Sequence, residues 1–288
     1  MIRQFRRREI HILASKVLEE RGLLSSLPVR PKKIAENLGI GLIEFKPSQP
    51  DITGFLMLVG DTFGIGYSTA IKNLGFQNFT IAHELGHYFL DGHPAAILEE
   101  GEHFSRSGFI SQDRYEREAD TFAAGLLMPL VMISPLIKKS PAGFDAIRLL
   151  SESCESSLVA SSIRYCEVTD ECVAVVVARA GVVEFMVASS GFRRIPEINW
   201  LRKSEKVPVN LPTSRLGSNR VWVGSGAVVR DRSFLNQWFP KAPRAEMKEE
   251  VVGLGSYGRT LTILVPESVP DSGIITPPVE GKGKMRKR

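Results

Sequence analysis

Cysteine is scarce in this sequence, which excludes the scaffolds and sites that are built from it. The 288 residues include only three cysteines, Cys154, Cys166 and Cys172, and no CxxC pair. Disulfide-stabilised folds and cysteine-based zinc sites need paired or closely spaced thiols. We therefore expect three ordinary thiols that are buried or partly buried.

Long apolar runs are lacking as well. The most apolar stretch starts at Val173 and meets Arg179 within a few residues, far short of the roughly 20 residues that span a bilayer. The N-terminal segment begins with basic residues but then carries His11, Lys16 and Glu19, so it lacks the continuous apolar region of a signal peptide. We expect a cytoplasmic protein with no membrane association.

The basic excess of the sequence is confined to its two ends. The formal net charge is +5, but nine basic residues are terminal, namely Arg3, Arg6, Arg7, Arg8, Lys282, Lys284, Arg286, Lys287 and Arg288. Without these nine of the 37 basic residues, 28 remain against 32 acidic ones. No basic stripe with interleaved aromatic residues runs through the body of the chain. We expect solvated, mobile ends and no direct binding of nucleic acid.

Hydrophobic periodicity predicts that the first half of the chain is helical with a small sheet. Apolar residues at helical spacing, bounded by Pro and Gly, predict helices at 9–26, 32–38, 78–90 and 114–127 and mostly helical structure at 130–168. Short β-branched or aromatic runs between turn signals predict strands at 41–45, 53–59 and 64–67. A polar segment, 91–113, separates the two central helices.

Beyond about residue 170 the pattern becomes that of strands. The runs CVAVVVA, VVEFMVA, RVWVGSGAVV and RTLTILV are divided by Gly, Asp and Ser, and only 234–239 indicates a helix. The predicted fold class is α+β, a helical domain with a small sheet followed by a β-rich C-terminal domain. We place the domains at 1–168 and 169–268, with a basic, Pro-rich disordered tail at 269–288.

One segment carries chemically active residues at a specific spacing. Residues 79–93, FTIAHELGHYFLDGH, contain the HExxH pattern as His83, Glu84 and His87. Two histidines four apart on a helix share a face and can bind one cation. Glu84 lies about one-third of a turn away, where it can accept a proton from a water that the cation has acidified. The segment predicts a metal-dependent hydrolase, with zinc as the expected cation and manganese as the alternative.

Two residues compete for the third ligand position of this predicted site. His93 follows the first motif histidine by ten residues, the metzincin spacing, but Leu90 stands where that pattern has the glycine of a sharp turn. Glu116 lies on the next predicted helix together with Asp120, four residues later and on the same face. Glu116 would complete a His-His-Glu site, and Asp120 would accept the N–H of a ligand histidine. We favour Glu116 and keep His93 as the alternative.

The other candidates near the motifs receive no role. Glu118 points away from the proposed ligand face of its helix, and we expect it to be a solvated charge. His11 and His103 are expected to be bystanders. Tyr88, Tyr115 and His103 lie within chain reach of the motif, but the sequence gives no geometry from which to choose an oxyanion stabiliser.

Together the two motifs resemble the ImmA/IrrE family of prokaryotic metallopeptidases. The likeness rests on FTIAHELGHYFL and EREADTFAAGLLMP and extends to LPVRPKKIAENLGIGL and SSLVASSIRYCEVTD, so that it covers roughly residues 10–170. It implies a minimal zincin-like fold of the gluzincin type, with His83, His87 and Glu116 as zinc ligands and Glu84 as the base. It also implies a protein substrate, because members are associated with site-specific cleavage of helix-turn-helix repressors that control stress-response or mobile-element genes.

The sequence departs from many relatives at its two ends. Some carry an N-terminal helix-turn-helix domain; we expect none here, because only about 30 residues precede the segment LPVRPKKIAENLGIGL. In some members a GAF-like sensor follows the peptidase. The β-rich pattern after residue 170 is compatible with a sensor and equally with a domain for packing or substrate docking.

These features leave three hypotheses about function. The first is a zinc-dependent endopeptidase that cleaves a repressor. The second is a regulatory module that binds and sequesters a repressor without cutting it. The third is a nucleic-acid binder that acts through the basic ends. Glu84 favours the enzyme, because a pure binder needs no base beside a metal.

Overall fold

The chain divides into two compact units. A computed structural model describes residues 2–46, 52–98, 102–106, 113–255 and 258–268. The first unit comprises Met1–Val176 and Val187–Ser190, and the second comprises Val177–Met186 and Gly191–Arg288. The proposed tail, 269–288, lies outside the described residues. The mixture of helices with small sheets confirms the α+β class.

Helices dominate the described part of the first unit. They are α1 (Ile2–Glu19), α2 (Pro31–Asn37), α3 (Leu74–Phe89), α4 (His93–Ile97), α5 (Arg114–Leu127), α6 (Leu130–Lys139), α7 (Phe144–Cys154) and α8 (Leu158–Val168). Four strands accompany them, β1 (Gly41–Phe45), β2 (Ile52–Val59), β3 (Thr62–Ser68) and β4 (Glu102–Arg106). The strands form one sheet in the order β1-β3-β2-β4, in which β1 pairs with β3 in parallel and the other pairs are antiparallel.

Helix α3 is the centre of the first unit. It packs against β2 and β3 on one side and against α5 on another, and α5 packs in turn against α1. Nine of the ten residues from Asn78 to His87 in α3 are buried. Such burial agrees with the scarcity of charged side chains in this helix, where Glu84 is the only Asp, Glu, Lys or Arg, because a helix enclosed by neighbours needs no charged face.

The first helix differs from its predicted bounds. The apolar pattern predicted 9–26, but α1 begins at Ile2 and ends at Glu19. Its end is closed by Gly22, which has a φ of +65°, and by Leu23, whose N–H bonds to the Leu18 carbonyl, the arrangement of a Schellman cap. The basic N-terminal residues therefore belong to a helix, and the expectation of a mobile end is wrong for them.

Two further elements lie in the segment that was expected to be merely polar. Residues 91–113 contain α4 and β4. Gly92 adopts a φ of +78° and forms the N-cap of α4, with Pro94 in its first turn. A glycine takes this left-handed conformation without steric cost, so the chain turns back sharply at this point.

The second sheet has the order β6-β5-β9-β8-β7. Its strands are β5 (Ala174–Arg179), β6 (Val182–Ala188), β7 (Val228–Phe234), β8 (Glu246–Gly253) and β9 (Arg259–Pro266). Strands β7, β8 and β9 form an antiparallel meander. Short helices accompany the sheet, namely α9 (Ser190–Arg193), α10 (Pro212–Ser218), α11 (Arg220–Ser225) and α12 (Leu235–Trp238).

Helix α11 replaces part of a predicted strand. The run RVWVGSGAVV predicted β structure throughout, but Arg220–Ser225 is helical and the strand begins at Val228. The side chain of Asn219 accepts hydrogen bonds from the N–H groups of Val221 and Trp222. This N-cap satisfies the first free amides of the helix and outweighs the β-branched character of the run.

The described chain holds no single helix that combines the length and the apolar character of a membrane span. By length and composition alone, α5 and α6 pass that test only as a pair, which is bent by 65°.

Candidate metal centre

Helix α3 presents the two motif histidines on one buried face. The side chain of Asn73 caps the helix by accepting from the Phe76 N–H, so that α3 begins well before the motif. His83 and His87 are four residues apart and are 6% and 0% exposed. Their Nε2 atoms lie 3.1 Å apart.

Helix α5 brings the carboxylate of Glu116 to the same point. Asp113 caps α5 by accepting from the N–H groups of Tyr115 and Glu116, which fixes Glu116 in the first turn. One Glu116 oxygen lies 3.4 Å from His83 Nε2, and the other lies 3.1 Å from His87 Nε2. The side chain of Glu116 is 18% exposed, so the site is largely enclosed.

The three donors have the spacing that one small cation requires. One ligand atom from each of His83, His87 and Glu116 lies within 4.8 Å of the others. The closest separations between the three side chains are 3.1–3.4 Å, with a different Glu116 oxygen nearest to each histidine. Tetrahedral coordination with bonds of about 2.0–2.1 Å places ligand atoms about 3.3–3.4 Å apart. Two imidazoles and a carboxylate also match the donor set of catalytic zinc sites. The residues therefore fit a divalent metal.

Asp120 lies next to the Nδ1 side of the His83 ring. Its Oδ1 is 2.9 Å from His83 Nδ1. Burial by itself lowers the pKa of His83, but hydrogen bonds to Asp120 and Glu116 outweigh that effect and hold the pKa well above its ordinary value. The carboxylates around the imidazole thus favour positive charge at this position, whether a proton or a metal supplies it.

Glu84 is fully buried beside the donor cluster and faces the sheet. Its exposed fraction is 0%. A Cβ atom added to Gly54 of β2 would lie 2.7 Å from Glu84 Oε1 and 2.5 Å from the Thr80 methyl carbon. The carboxylate therefore fits into a space that exists only because residue 54 has no side chain.

His93 lies next to His87 but on the other side of its ring. The turn at Gly92 carries His93 back against α3, where the two Nδ1 atoms are 3.1 Å apart. His87 Nε2 faces the donor cluster, and Glu116 rather than His93 supplies the third nearby ligand atom. The ten-residue spacing thus brings His93 to the motif without placing it in the cluster.

Glu118 is buried, and the expectation that it is a solvated charge is wrong. It is 8% exposed and accepts hydrogen bonds from Arg6, at 2.7 and 3.0 Å, and from Arg114, at 2.7 Å. Burial works to raise the pKa of Glu118, but these cationic donors outweigh it and lower the pKa to about 2. Arg6 is 112 residues away in sequence, so helical periodicity within α5 could not reveal this pairing.

The remaining candidates occupy structural positions. Tyr115 packs edge-on against the His93 ring, with centroids 4.9 Å apart, and Tyr88 packs in the same way against Phe63. His11 lies on α1, where its Nε2 is 3.0 Å from Arg164. The side chain of His103 lies outside the described residues.

Comparisons with known proteins cover the two helices from which this site is built. Residues 35–143, which include all of α3 and α5, match the model of the Peptidase_M78 family, the IrrE N-terminal-like domain. The structure is also similar to that of a Mycobacterium tuberculosis transcriptional regulator, with a TM-score of 0.54 and 12% sequence identity over 89% of this chain and 77% of that chain. At this identity the likeness concerns the fold alone. No curated protein matches the sequence.

These findings concern residues 35–143 of the first unit. This stretch is similar to the IrrE N-terminal-like domain, which supports a metallopeptidase-like scaffold, and the resemblance to the ImmA/IrrE family is confirmed. The matched residues contribute both helices whose side chains form the donor cluster.

Proposed function

We propose that the chain is a zinc-dependent endopeptidase that hydrolyses a peptide bond in a protein substrate, a helix-turn-helix transcriptional repressor. The observation that carries the proposal is the buried His83, His87 and Glu116 cluster with Glu84 enclosed beside it. The repressor substrate rests on the family resemblance, and zinc rests on the donor set. Cleavage would relieve repression of stress-response or mobile-element genes.

Each residue of the site has a distinct task in this proposal. His83, His87 and Glu116 hold the cation, which supplies Lewis acidity that polarises the scissile carbonyl and acidifies water. Glu84 accepts a proton from the attacking water and returns it to the leaving amine. Asp120 accepts the Nδ1 proton of His83, at 2.9 Å, and so keeps Nε2 of that ring available as a ligand atom.

The substitution Glu84→Gln tests the assigned mechanism. The zinc-loaded protein is incubated with helix-turn-helix repressors of the source organism, and fragments are resolved on a gel and located by mass spectrometry. We expect cleavage by the wild type and a loss of about 10²- to 10⁴-fold in Glu84→Gln, with zinc content unchanged. Glu152→Gln, which alters an exposed carboxylate of α7, is the matched control and is expected to cleave normally.

The same experiment separates the enzyme from a sequestering module. The sequestering module predicts that the wild type binds the repressor and leaves it intact, and that Glu84→Gln still gives full derepression in cells. These two results together would favour that hypothesis over the peptidase. Undiminished cleavage by Glu84→Gln would overturn the role of Glu84 as the base.

A further inference from the structure

A continuous row of polar side chains runs from His87 away from the donor cluster. His87 Nδ1 is 3.1 Å from His93 Nδ1, and His93 Nε2 is 3.4 Å from Glu118 Oε2. Glu118 is held by Arg6 of α1 and by Arg114 of α5. Three other elements, α1, α4 and α5, thus meet beside one proposed metal ligand.

The hydrogen bonds of this row are consistent in only one direction. A histidine that offers the Nε2 lone pair to a cation carries its proton on Nδ1 and donates there. His93 must then accept at Nδ1, so that its own proton is on Nε2, where it faces a carboxylate. Glu118 accepts at that end, since an ionised carboxylate is an acceptor only. Every donor therefore meets an acceptor from His87 to Glu118.

Both histidines of the row are buried. His93 is 1% exposed, and the edge of Tyr115 packs against its ring. Since Glu118 also accepts from two guanidinium groups, its position is set independently of His93.

We propose that His93 is a positioning residue that fixes the tautomer and the ring orientation of the metal ligand His87, with Glu118, Arg6 and Arg114 as its support. The inference rests on the proposed metal site. In this arrangement Asp120 and His93 have parallel tasks, because each binds the Nδ1 of one ligand histidine while Nε2 faces the cation. Helix α1 is thereby linked to the metal centre through Arg6.

Zinc affinity of His93 variants tests this role without any peptidase assay. Zn²⁺ is titrated into full-length metal-free protein in competition with a chromophoric chelator. Loss of an outer hydrogen bond to a ligand histidine weakens metal binding by about 10- to 100-fold, and we expect this loss in His93→Phe, which retains an aromatic ring. His93→Asn offers an amide oxygen near the position of Nδ1 and is expected to recover most of the affinity.

A matched control and a second variant separate positioning from general stability. His11→Phe alters a partly buried histidine outside the row, whose partners are Arg164 and Glu167, and is expected to bind Zn²⁺ like the wild type. Glu118→Gln is expected to weaken binding less than His93→Phe. The double variant, His93→Phe with Glu118→Gln, is expected to lose less Zn²⁺ affinity than the sum of the two single losses in binding free energy, because the two residues act through the same hydrogen bond.

A spectroscopic measurement on the wild-type protein tests the proposal without depending on whether any variant folds. In the zinc-loaded protein labelled with ¹⁵N-histidine, we expect a proton on Nδ1 of His87 and a proton on Nε2 of His93. A proton on Nε2 of His87 would overturn the proposal. Equal affinity of the wild type and His93→Phe, or an equally large loss in His93→Asn, would also overturn it while leaving the metal site intact. If the wild type itself binds no Zn²⁺, the proposed function fails and the positioning role fails with it.

Discussion

Gly86 of α3 lies directly against the backbone of Ala119 in α5. A Cβ atom added to Gly86 would be 3.0 Å from the Ala119 Cα atom and 3.1 Å from its carbonyl oxygen. Ala119 follows Glu116 by less than one helical turn, and Gly86 precedes His87 by one residue. The missing side chain at position 86 therefore permits the close approach of the two helices that brings the carboxylate to the histidines.

The substitution Gly86→Ala should consequently weaken metal binding. Overpacking against a helix backbone costs about 1–3 kcal/mol, and the shift of α5 moves Glu116 away from His83 and His87. We expect zinc affinity to fall about tenfold and unfolding to become easier. Gly224→Ala in α11 is the control, because nothing lies within 4 Å of a Cβ there. Wild-type affinity in Gly86→Ala would show that the helix spacing does not govern the site.

A second glycine separates catalysis from metal binding. The methyl group of Gly54→Ala would displace Glu84 or Thr80, which lie 2.7 and 2.5 Å from its position. We expect repressor cleavage to fall at least about tenfold, while zinc content, measured by elemental analysis, stays near one per chain. The comparison is Gly41→Ala in the same sheet, where the nearest atom is 3.9 Å away. Unchanged cleavage would mean that this space does not hold Glu84 in its working position.

The helix that carries the HExxH pattern could be predicted from sequence because its signals are local. The i,i+4 spacing of His83 and His87 places them on one face, and the pattern 114–127 coincides with the bounds of α5. Asp120 was expected to bond a ligand histidine, and it lies 2.9 Å from His83. The four-residue spacing was enough to place Asp120 on the same face of α5 as Glu116, because residues four apart on a helix are neighbours.

The rest of the site depends on contacts between distant segments. Glu118 was expected in solvent because its partner Arg6 lies 112 residues away. His93 was considered only as a ligand, and its contact with the far side of His87 depends on the left-handed turn at Gly92. The sequence does contain one signal for this turn, the DGHP run, in which Gly precedes a residue followed by Pro.

Acid should destabilise the contact between α1 and α8. Burial tends to raise the pKa of Glu167, but the neighbouring His11 ring and the guanidinium groups of Arg7 and Arg164, which lie 2.8 and 3.2 Å from its carboxylate, outweigh that effect, so the pKa lies below the ordinary 4.5. A carboxylate whose pKa is lower in the folded state than in the unfolded state stabilises the fold. This stabilisation is complete above the unfolded-state pKa and is lost as pH falls through the folded-state pKa. The contribution of Glu167 is therefore full at neutral pH and declines below about pH 4.5.

The variant Glu167→Gln tests this contribution. We expect its free energy of unfolding at pH 7 to be lower by about 1–3 kcal/mol, and the difference from the wild type to shrink as pH falls below 4.5. Denaturant titrations in chelator, followed by circular dichroism of the helices, measure both curves. A difference that stays constant from pH 7 to pH 3 would rule out the charge of Glu167 as its source.

The second unit contains a buried carboxylate of its own. Glu249 is 0% exposed; one of its oxygens accepts from the N–H and hydroxyl of Thr213, and the other accepts from Trp238 Nε1. Glu249→Gln replaces one acceptor with an NH₂ donor, so that at least one buried donor loses its partner. We expect a loss of about 1–3 kcal/mol in unfolding free energy.

Tryptophan fluorescence isolates this effect. All three tryptophans, Trp200, Trp222 and Trp238, belong to the second unit, so their signal reports the unfolding of that unit. Glu246→Gln, which alters an exposed ion pair with Arg232, is the control and should leave the transition nearly unchanged. If the unfolding transition of Glu249→Gln coincides with that of the wild-type protein, the carboxylate does not stabilise the sheet.

Bound-metal stoichiometry tests the central claim most directly. The wild type, Glu116→Ala and His93→Ala proteins are reconstituted with Zn²⁺ side by side, freed of excess metal, and measured by elemental analysis. The His-His-Glu assignment predicts about one zinc in the wild type and none in Glu116→Ala, while His93→Ala retains the metal with weaker affinity. Zinc retained by Glu116→Ala but lost entirely from His93→Ala would contradict the assignment, and a wild type without zinc would contradict the peptidase itself.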